Sequence, residues 1–223
     1  MDSLFTAIRS GDITIVIMLV ISRAIVVFLC SPIHELCHGL AAYKLGDDTA
    51  KKSGRLTLNP FAHLDPIGTI MIFLFGIGYA KPVPINPLKF KDYRKGVALT
   101  ALAGPLSNLA MAFVAAFISS AIDYFFKNSV AAQILVLLFS LTAVINISLA
   151  VFNLLPIPPL DGSRIFAMIL PDRLYEKYFR YERVIMIILM VLLFTGVLNP
   201  LLTFLNNIFS TFIFFIPNLI FGN

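Results

Sequence analysis

Five consecutive residues, His34-Glu35-Leu36-Cys37-His38, carry the HExxH pattern. If they form a helix, the two histidines at positions i and i+4 share one face and can bind one metal ion. The glutamate between them is then close enough to take a proton from an attacking water molecule. Ionisable groups inside an apolar span are costly and mark a site or a partner, so these residues predict a metal-dependent active site. The alternative is that they pair with one another inside a helix bundle.

Two histidines leave a catalytic zinc site one protein ligand short, because such sites usually have three protein ligands and a water molecule. Asp161 is the best candidate for the third ligand. It follows a run of prolines that cannot continue a helix, and the next residue, Gly162, permits close approach of the backbone. On local grounds Asp161 could instead be the N-cap of a short helix ending near Leu170, and the two roles are compatible.

The composition around these residues is that of a membrane protein. The chain has 223 residues, of which 59% are hydrophobic and 13% are charged. Soluble globular domains have about 25% charged residues, so a water-soluble fold and a disordered chain are both excluded. Long unbroken apolar runs favour helices as the spanning elements. The sequence therefore predicts an all-α polytopic membrane protein, a bundle of about four to six transmembrane helices.

The apolar runs and the breaks between them predict the elements of one membrane-embedded domain over residues 1–223. A catalytic core over 24–170 holds every candidate site residue, and accessory helices follow over 171–223. The predicted apolar segments are 13–43, 95–122, 130–155, 184–205 and 208–221, with a short helix ending near residue 170 and a charged loop over 171–183.

The run from Pro66 to Ala80 is short for a crossing, and we expect it to be a re-entrant segment. Thirteen of the 17 lysines and arginines lie in three loops, 44–55, 81–95 and 173–183. These loops share one side of the membrane only if 66–80 enters and leaves by the same face. Short basic loops prefer the cytoplasm, so we place the loops there, with the active site nearer the cytoplasmic face of the plasma membrane.

Two segments beside the re-entrant run are expected to be extended. Leu56 and Leu58 alternate with polar residues, and the stretch Lys81–Pro87 is rich in proline. Both patterns are typical of strands, and they predict short β-hairpin elements on the cytoplasmic side.

The chain carries three motifs in order: His34-Glu35-xx-His38, Gly104-Pro105-Leu106-Ser107-Asn108 and Asn153-xx-Pro156-xx-Pro159-Leu160-Asp161-Gly162. Together they resemble the motif set of the site-2 protease family of intramembrane zinc metalloproteases. The stretches Arg55–Pro60 and Lys81–Pro87 are similar to those of the compact members without a PDZ domain. The resemblance covers residues 30–170. It implies one zinc ion held by His34, His38 and Asp161, with Glu35 as general base and a transmembrane helix as substrate.

Four further polar residues have open roles. Asn108 and Asn153 lie on separate predicted helices at comparable depth, and either amide could donate to a developing oxyanion or bind an unwound substrate backbone. They could equally brace one helix against another. Arg164 could fix the Asp161 carboxylate or extend to the membrane interface. We do not assign His63 as a ligand and expect a solvated or substrate-contacting loop histidine.

Two other functions would use the same metal ligands. A zinc-binding transporter would place polar residues through both halves of the membrane, but beyond Arg23 the half remote from the basic loops has almost none. A non-catalytic scaffold would not need Glu35. The excess of basic residues is a topology signal rather than a nucleic-acid footprint. The expected partners are therefore the lipid bilayer and transmembrane protein substrates.

Overall fold

The structure, a computed structural model, describes residues 4–75 and 78–222, and its regular elements are helices. The helices in these ranges are α1 (Leu4–Ser10), α2 (Ile13–Ile25), α3 (Ser31–Lys44), α4 (Thr49–Lys52), α5 (Pro66–Phe75), α6 (Tyr93–Phe126), α7 (Val130–Asn153), α8 (Asp161–Ala167), α9 (Asp172–Arg180), α10 (Glu182–Phe194) and α11 (Asn199–Phe221). Short 3-10 turns occupy Pro60–Ala62 and Pro87–Lys89. The predicted all-α fold is confirmed.

Four helical stretches are long and apolar enough to cross a membrane: Ile13–Lys44, Tyr93–Phe126, Val130–Asn153 and Asn199–Phe221. A crossing needs about 20 apolar residues, and the shortest of the four has 23. The chain is thus an integral, multi-pass membrane protein, and four spans fall within the predicted range.

The first span is one continuous helix that carries the HExxH residues. Asp12 begins it, because its carboxylate accepts a hydrogen bond from the Thr14 N–H at 2.9 Å. α2 passes into α3 through a π-helical turn, Val26–Cys30, which ends two residues before Pro32. Proline has no N–H to donate to the preceding turn, and a widened turn there relieves the clash. At 32 residues and about 48 Å, this span is longer than the hydrocarbon core, so its ends extend beyond it.

α6 and α7 are joined by a turn of three residues, 127–129, and pack side by side through small residues. The buried alanines between the helices are Ala112, Ala115, Ala116 and Ala143. Close approach of backbones and hydrogen bonds between helices hold membrane bundles together. One such bond joins the Ser119 and Ser140 hydroxyls at 2.8 Å. The helices α2, α3, α8 and α11 pack against the α6–α7 pair.

The C-terminal third differs from the sequence prediction. The predicted loop over 171–183 is wrong, because Asp172–Arg180 forms α9 directly after Pro171. The predicted crossing over 184–205 is also wrong, since the helix breaks between α10 and α11. At that break Gly196 has φ +75°, a left-handed conformation that ends a helix, and α11 then begins at Asn199 with Pro200 in its first turn.

The predicted β-hairpin elements are not confirmed, since the structure assigns no strand within residues 4–75 and 78–222. Residues 79–86 have no regular secondary structure, and Pro82 and Pro84 have no N–H for a strand ladder. In the other segment the Thr57 hydroxyl accepts from the Asn59 N–H at 3.1 Å, a local turn that competes with strand pairing.

The segment that contains α5 leaves one point of the fold and returns to it. It has ten residues, about 15 Å of helix, which is half the thickness of a hydrocarbon core. After α5, the Lys81 N–H donates to the His63 carbonyl at 2.7 Å, so the chain returns to the residue from which it left. Gly68 of α5 lies against the Tyr79 backbone, where a Cβ atom would overlap the Tyr79 carbonyl. The re-entrant path through the membrane stays a prediction.

Candidate active site

The two histidines lie together in the interior of the helix bundle. His34 and His38 are one turn apart on α3 and are only 8% and 6% exposed. Their Nε2 atoms are 3.0 Å apart, and the two rings are nearly perpendicular. The helical spacing of the motif therefore brings two imidazole nitrogens to one point, as a shared metal ion requires.

A backbone carbonyl sets the tautomer of His38. Its Nδ1 lies 2.7 Å from the carbonyl oxygen of Thr100 on α6. A carbonyl can only accept, so Nδ1 carries the hydrogen and Nε2 keeps a free lone pair for a metal. Such hydrogen bonds orient metal-binding histidines. The sequence did not point to Thr100, because any residue type supplies a carbonyl.

Asp161 reaches the histidine pair from α8. Its Oδ2 lies 3.4 Å from Nε2 of His34 and 3.3 Å from Nε2 of His38. Gly162 makes this position accessible, since a Cβ atom there would overlap the carbonyl groups of residues 154 and 155 at the end of α7. The alternative N-cap role is wrong, because Leu160 occupies the N-cap position and Asp161 is the first residue of the helix.

The three donor atoms fit a zinc ion. A tetrahedral site with zinc–ligand bonds of about 2.0–2.1 Å places its ligand atoms about 3.3–3.4 Å apart. The observed separations among His34, His38 and Asp161 are 3.0, 3.3 and 3.4 Å. Two imidazoles and one carboxylate are also a usual ligand set for catalytic zinc. The structure thus brings together the three residues that the sequence predicts as metal ligands.

Gly104 of α6 lies directly against the histidine pair. A Cβ atom at this position would overlap both imidazole rings. The glycine thus allows the α6 backbone to lie directly against His34 and His38, which carry the site. This explains why a glycine begins the second motif, a reason that the sequence alone did not supply.

Glu35 is buried beside the histidines and has a backbone partner. Its Oε2 accepts a hydrogen bond from the Val83 N–H at 2.9 Å, across 48 residues of sequence. Sequence reasoning missed Val83, because an apolar residue between two prolines gives no sign of such a contact.

The structure does not join the two asparagines to the metal ligands. Asn108 is buried one turn beyond Gly104 on α6, and its Oδ1 has no hydrogen-bond partner. Asn153 is the half-buried last residue of α7. Among the described residues, no hydrogen bond links either amide to His34, His38 or Asp161. Their roles stay open.

Two other predictions are settled by burial. The expectation that His63 is solvated is wrong, because its side chain is fully buried and its Nε2 donates to the Thr57 carbonyl at 2.9 Å. This hydrogen bond stabilises the loop before α5, and His63 is not part of the His34, His38 and Asp161 cluster. The Arg164 side chain is exposed, which agrees with an interfacial position.

A family model identifies the protein family to which the chain belongs. The family model of peptidase family M50 matches residues 22–198, which include every candidate site residue. The chain belongs to peptidase family M50. Membership in M50 confirms the resemblance to the site-2 protease family that the three motifs carry.

Relatives of this M50 chain that bear the name "Putative zinc metalloprotease" include three from different organisms. YwhC from Bacillus subtilis is 45% identical over 164 residues, which cover 73% of this chain and 75% of YwhC. Rip2 from Mycolicibacterium smegmatis is 29% identical over 140 residues, 58% of this chain and 50% of Rip2. MJ0611 from Methanocaldococcus jannaschii is 35% identical over 134 residues, 59% of this chain and 62% of MJ0611. No solved structure matches the chain.

Proposed function

We propose that this protein is an intramembrane zinc metalloprotease that hydrolyses peptide bonds in or near the transmembrane segments of membrane proteins. One observation carries the proposal: His34, His38 and Asp161 place three metal-binding atoms within 4.8 Å of one another, with Glu35 next to them. They lie in a chain whose described residues include four helical stretches long and apolar enough to cross a membrane. Membership in a peptidase family and the names of its relatives support the same reaction.

The proposed roles follow from the positions of the side chains. His34, His38 and Asp161 hold the ion, and the His38 ring is oriented by its bond to Thr100. When bound, zinc polarises the scissile carbonyl and makes a water molecule a stronger nucleophile at neutral pH. Glu35 takes a proton from that attacking water and gives it to the leaving amine, which restores the carboxylate as the C–N bond breaks.

Asn108 and Asn153 are proposed to act on the substrate backbone. The unpartnered Oδ1 of buried Asn108 is a costly arrangement unless a ligand or water satisfies it. A transmembrane substrate has its peptide groups hydrogen-bonded internally, so cleavage requires a locally unwound stretch whose groups need new partners. Two amides on different helices could supply them.

The proposed placement in the membrane has the active site nearer the cytoplasmic face of the plasma membrane. The hydrogen bond from Lys81 to the His63 carbonyl supports a re-entrant α5 segment, since both ends of the segment lie together. A re-entrant segment puts the three basic loops on one side. Residues 24–170 form the proposed catalytic core, and 171–223 form accessory helices.

The cleavage test uses purified protein in vesicles with a single-span substrate. We expect cleavage by the wild type, loss of cleavage with a zinc chelator, recovery on adding zinc, and a loss of at least 100-fold in Glu35→Gln. Glu182→Gln, a matched change on α10, is the control and should cleave like the wild type. Equal cleavage by wild type and Glu35→Gln across several substrates would contradict the proposal.

A further inference from the structure

The segment Lys81–Pro87, the strap, lies against α3 beside the candidate site. Its Val83 side chain is buried, and a Cβ atom built on Gly39 of α3 would lie 3.3 Å from Val83 Cγ1. The Val83 N–H donates to Oε2 of Glu35 at 2.9 Å. The strap thus contacts the proposed general base directly, through a main-chain group.

The prolines of the strap limit the number of backbone N–H donors that it offers. Pro82 and Pro84 have no N–H and fix their own φ angles, and each proline also restricts the residue before it to extended conformations. Val83 therefore has the one N–H available between residues 82 and 84, held in an extended backbone. Its direction is set by the backbone, so an apolar residue can supply it, and the Val83 side chain is buried.

Both ends of the strap are tied to the rest of the protein. At the first end, Lys81 donates its N–H to the His63 carbonyl at 2.7 Å, and Arg55 donates to the Lys81 carbonyl at 2.8 Å. At the other end, the Asn86 N–H donates to Oδ2 of the fully buried Asp47 at 2.6 Å. With both ends fixed, the Val83 N–H is held at a defined position over α3.

We propose that the Val83 amide is a positioning group for Glu35. The inference rests on the proposed protease function. A carboxylate turns easily about its last side-chain bond, because that torsion has only broad preferences. A hydrogen bond to Oε2 fixes the plane of the carboxylate, and Oε1 remains for the proton transfer. The strap thereby sets the geometry of the base.

Two other roles of the strap make different predictions. If the strap only bound the substrate, removing the Val83 N–H would weaken substrate affinity and leave turnover intact. If the contact only held the loop in place, its loss would lower thermal stability or zinc content. A positioning role lowers kcat while substrate affinity, zinc content and thermal stability stay unchanged.

The test replaces the Val83 amide with an ester, by incorporating α-hydroxyvaline at position 83 of the full chain. This removes the N–H and keeps the side chain. The matched control is the same change at Ile85, the next strap residue with an N–H, which does not donate to Glu35. We expect kcat to fall about 10- to 100-fold for the ester at 83, a part of what a general base supplies. KM should change less than twofold, and the ester at 85 should resemble the wild type.

Two further measurements need no turnover. The first is the zinc content of the ester variant at 83. The second is its affinity for the substrate, measured in the Glu35→Gln background. Unchanged values with reduced kcat support the inference. An unchanged kcat, a rise in KM alone, or a loss of zinc would overturn it. If the wild type cleaves normally and the ester at 83 does too, only this inference fails; if the wild type does not cleave, the proposed function fails first.

Discussion

The candidate site and the C-terminal helices are packed in opposite ways. Around the site, Gly104 and Gly162 allow helix backbones to approach so closely that a single Cβ atom would overlap its neighbours. Half of the most apolar stretch of α7 is buried, compared with 11% of that of α11. On α11, Phe212 and Leu219 remain 73% and 72% exposed. The candidate site thus lies where helix backbones are in close contact, whereas α11 exposes large side chains.

This difference indicates where the protein tolerates change. Metal-binding side chains must be held within a fraction of an ångström, which close backbone contacts achieve better than long flexible side chains. Among the described residues, none of the predicted metal ligands lies on the exposed face of α11, so positions there need not be held as closely. Substitutions should therefore be severe at the two glycines and mild on α11, and four predictions test that contrast from its strong end to its weak end.

Gly104→Val should have the largest effect. The added side chain would overlap the rings of His34 and His38, so the two imidazoles could no longer meet at one ion. We expect zinc content to fall well below one per chain and cleavage to fall at least 100-fold. Ala110→Val, on an exposed face of the same helix, is the control. Normal zinc content in Gly104→Val would show that the contact is not needed.

Gly162→Ala should have the next largest effect. The new methyl group would meet the carbonyls of residues 154 and 155 and push Asp161 away from the histidines. Displacing a supporting group typically costs about 10- to 100-fold in metal affinity. Competition with a chelator of known affinity measures this. Ala167→Gly, at the other end of α8, controls for general weakening of the helix, and equal zinc affinity in Gly162→Ala and wild type would contradict the account.

Asp47→Asn should have an intermediate effect, because it loosens the end of the strap. Burial would raise the pKa of Asp47, but hydrogen bonds from Thr49 and Asn86 outweigh burial and hold the pKa below its ordinary value. Its charge therefore stabilises the fold above about pH 4, the ordinary aspartate pKa, and this contribution is lost as pH falls further. We expect a lower melting temperature for Asp47→Asn at pH 7 and a kcat reduced about fivefold.

The same variant gives a test with a definite sign. The difference in melting temperature between wild type and Asp47→Asn should stay constant from pH 7 to pH 5 and shrink below about pH 4. Hydrogen bonds from Lys52 and Lys89 lower the pKa of Asp48 to about 2. The difference in melting temperature between wild type and Asp48→Asn should therefore shrink in the same pH range. If the difference in melting temperature grew as the pH fell, it would contradict this account of Asp47.

Phe212→Ala on α11 should have the smallest effect. The side chain is 73% exposed, so cleavage and zinc content should stay within twofold of the wild type. Ile147→Ala in the fully buried part of α7 provides the contrast and should lower stability by about 2 kcal/mol. If the two variants lose stability equally, the packing contrast between the regions is not real.

The sequence was most informative where chemistry restricts the residue type. The meeting of His34, His38 and Asp161 was predictable because few side chains bind metal, and because the two histidines have helical spacing while Asp161 lies between a run of prolines and Gly162. The long helices α6 and α7 were also predicted, with ends that differ by four residues at most. Apolar length alone identifies such helices.

The sequence was least informative where main-chain groups or local breaks decide. The Val83 N–H and the Thr100 carbonyl are present in almost any residue, so no pattern marks them. The proline-rich strap looked like a strand, although its prolines remove the donors that a ladder needs. In the C-terminal third, the continuous apolar pattern hid the break at Gly196, whose left-handed backbone ends the helix.

The most direct test of the central claim is X-ray absorption at the zinc edge of the purified protein and of Asp161→Ala. We predict that wild-type zinc has only nitrogen and oxygen neighbours, at about 2.0–2.1 Å, with the outer-shell signal of two imidazoles. Asp161→Ala should lose the ion or show an altered first shell. A sulfur neighbour at about 2.3 Å, or an identical spectrum in Asp161→Ala, would contradict coordination by His34, His38 and Asp161.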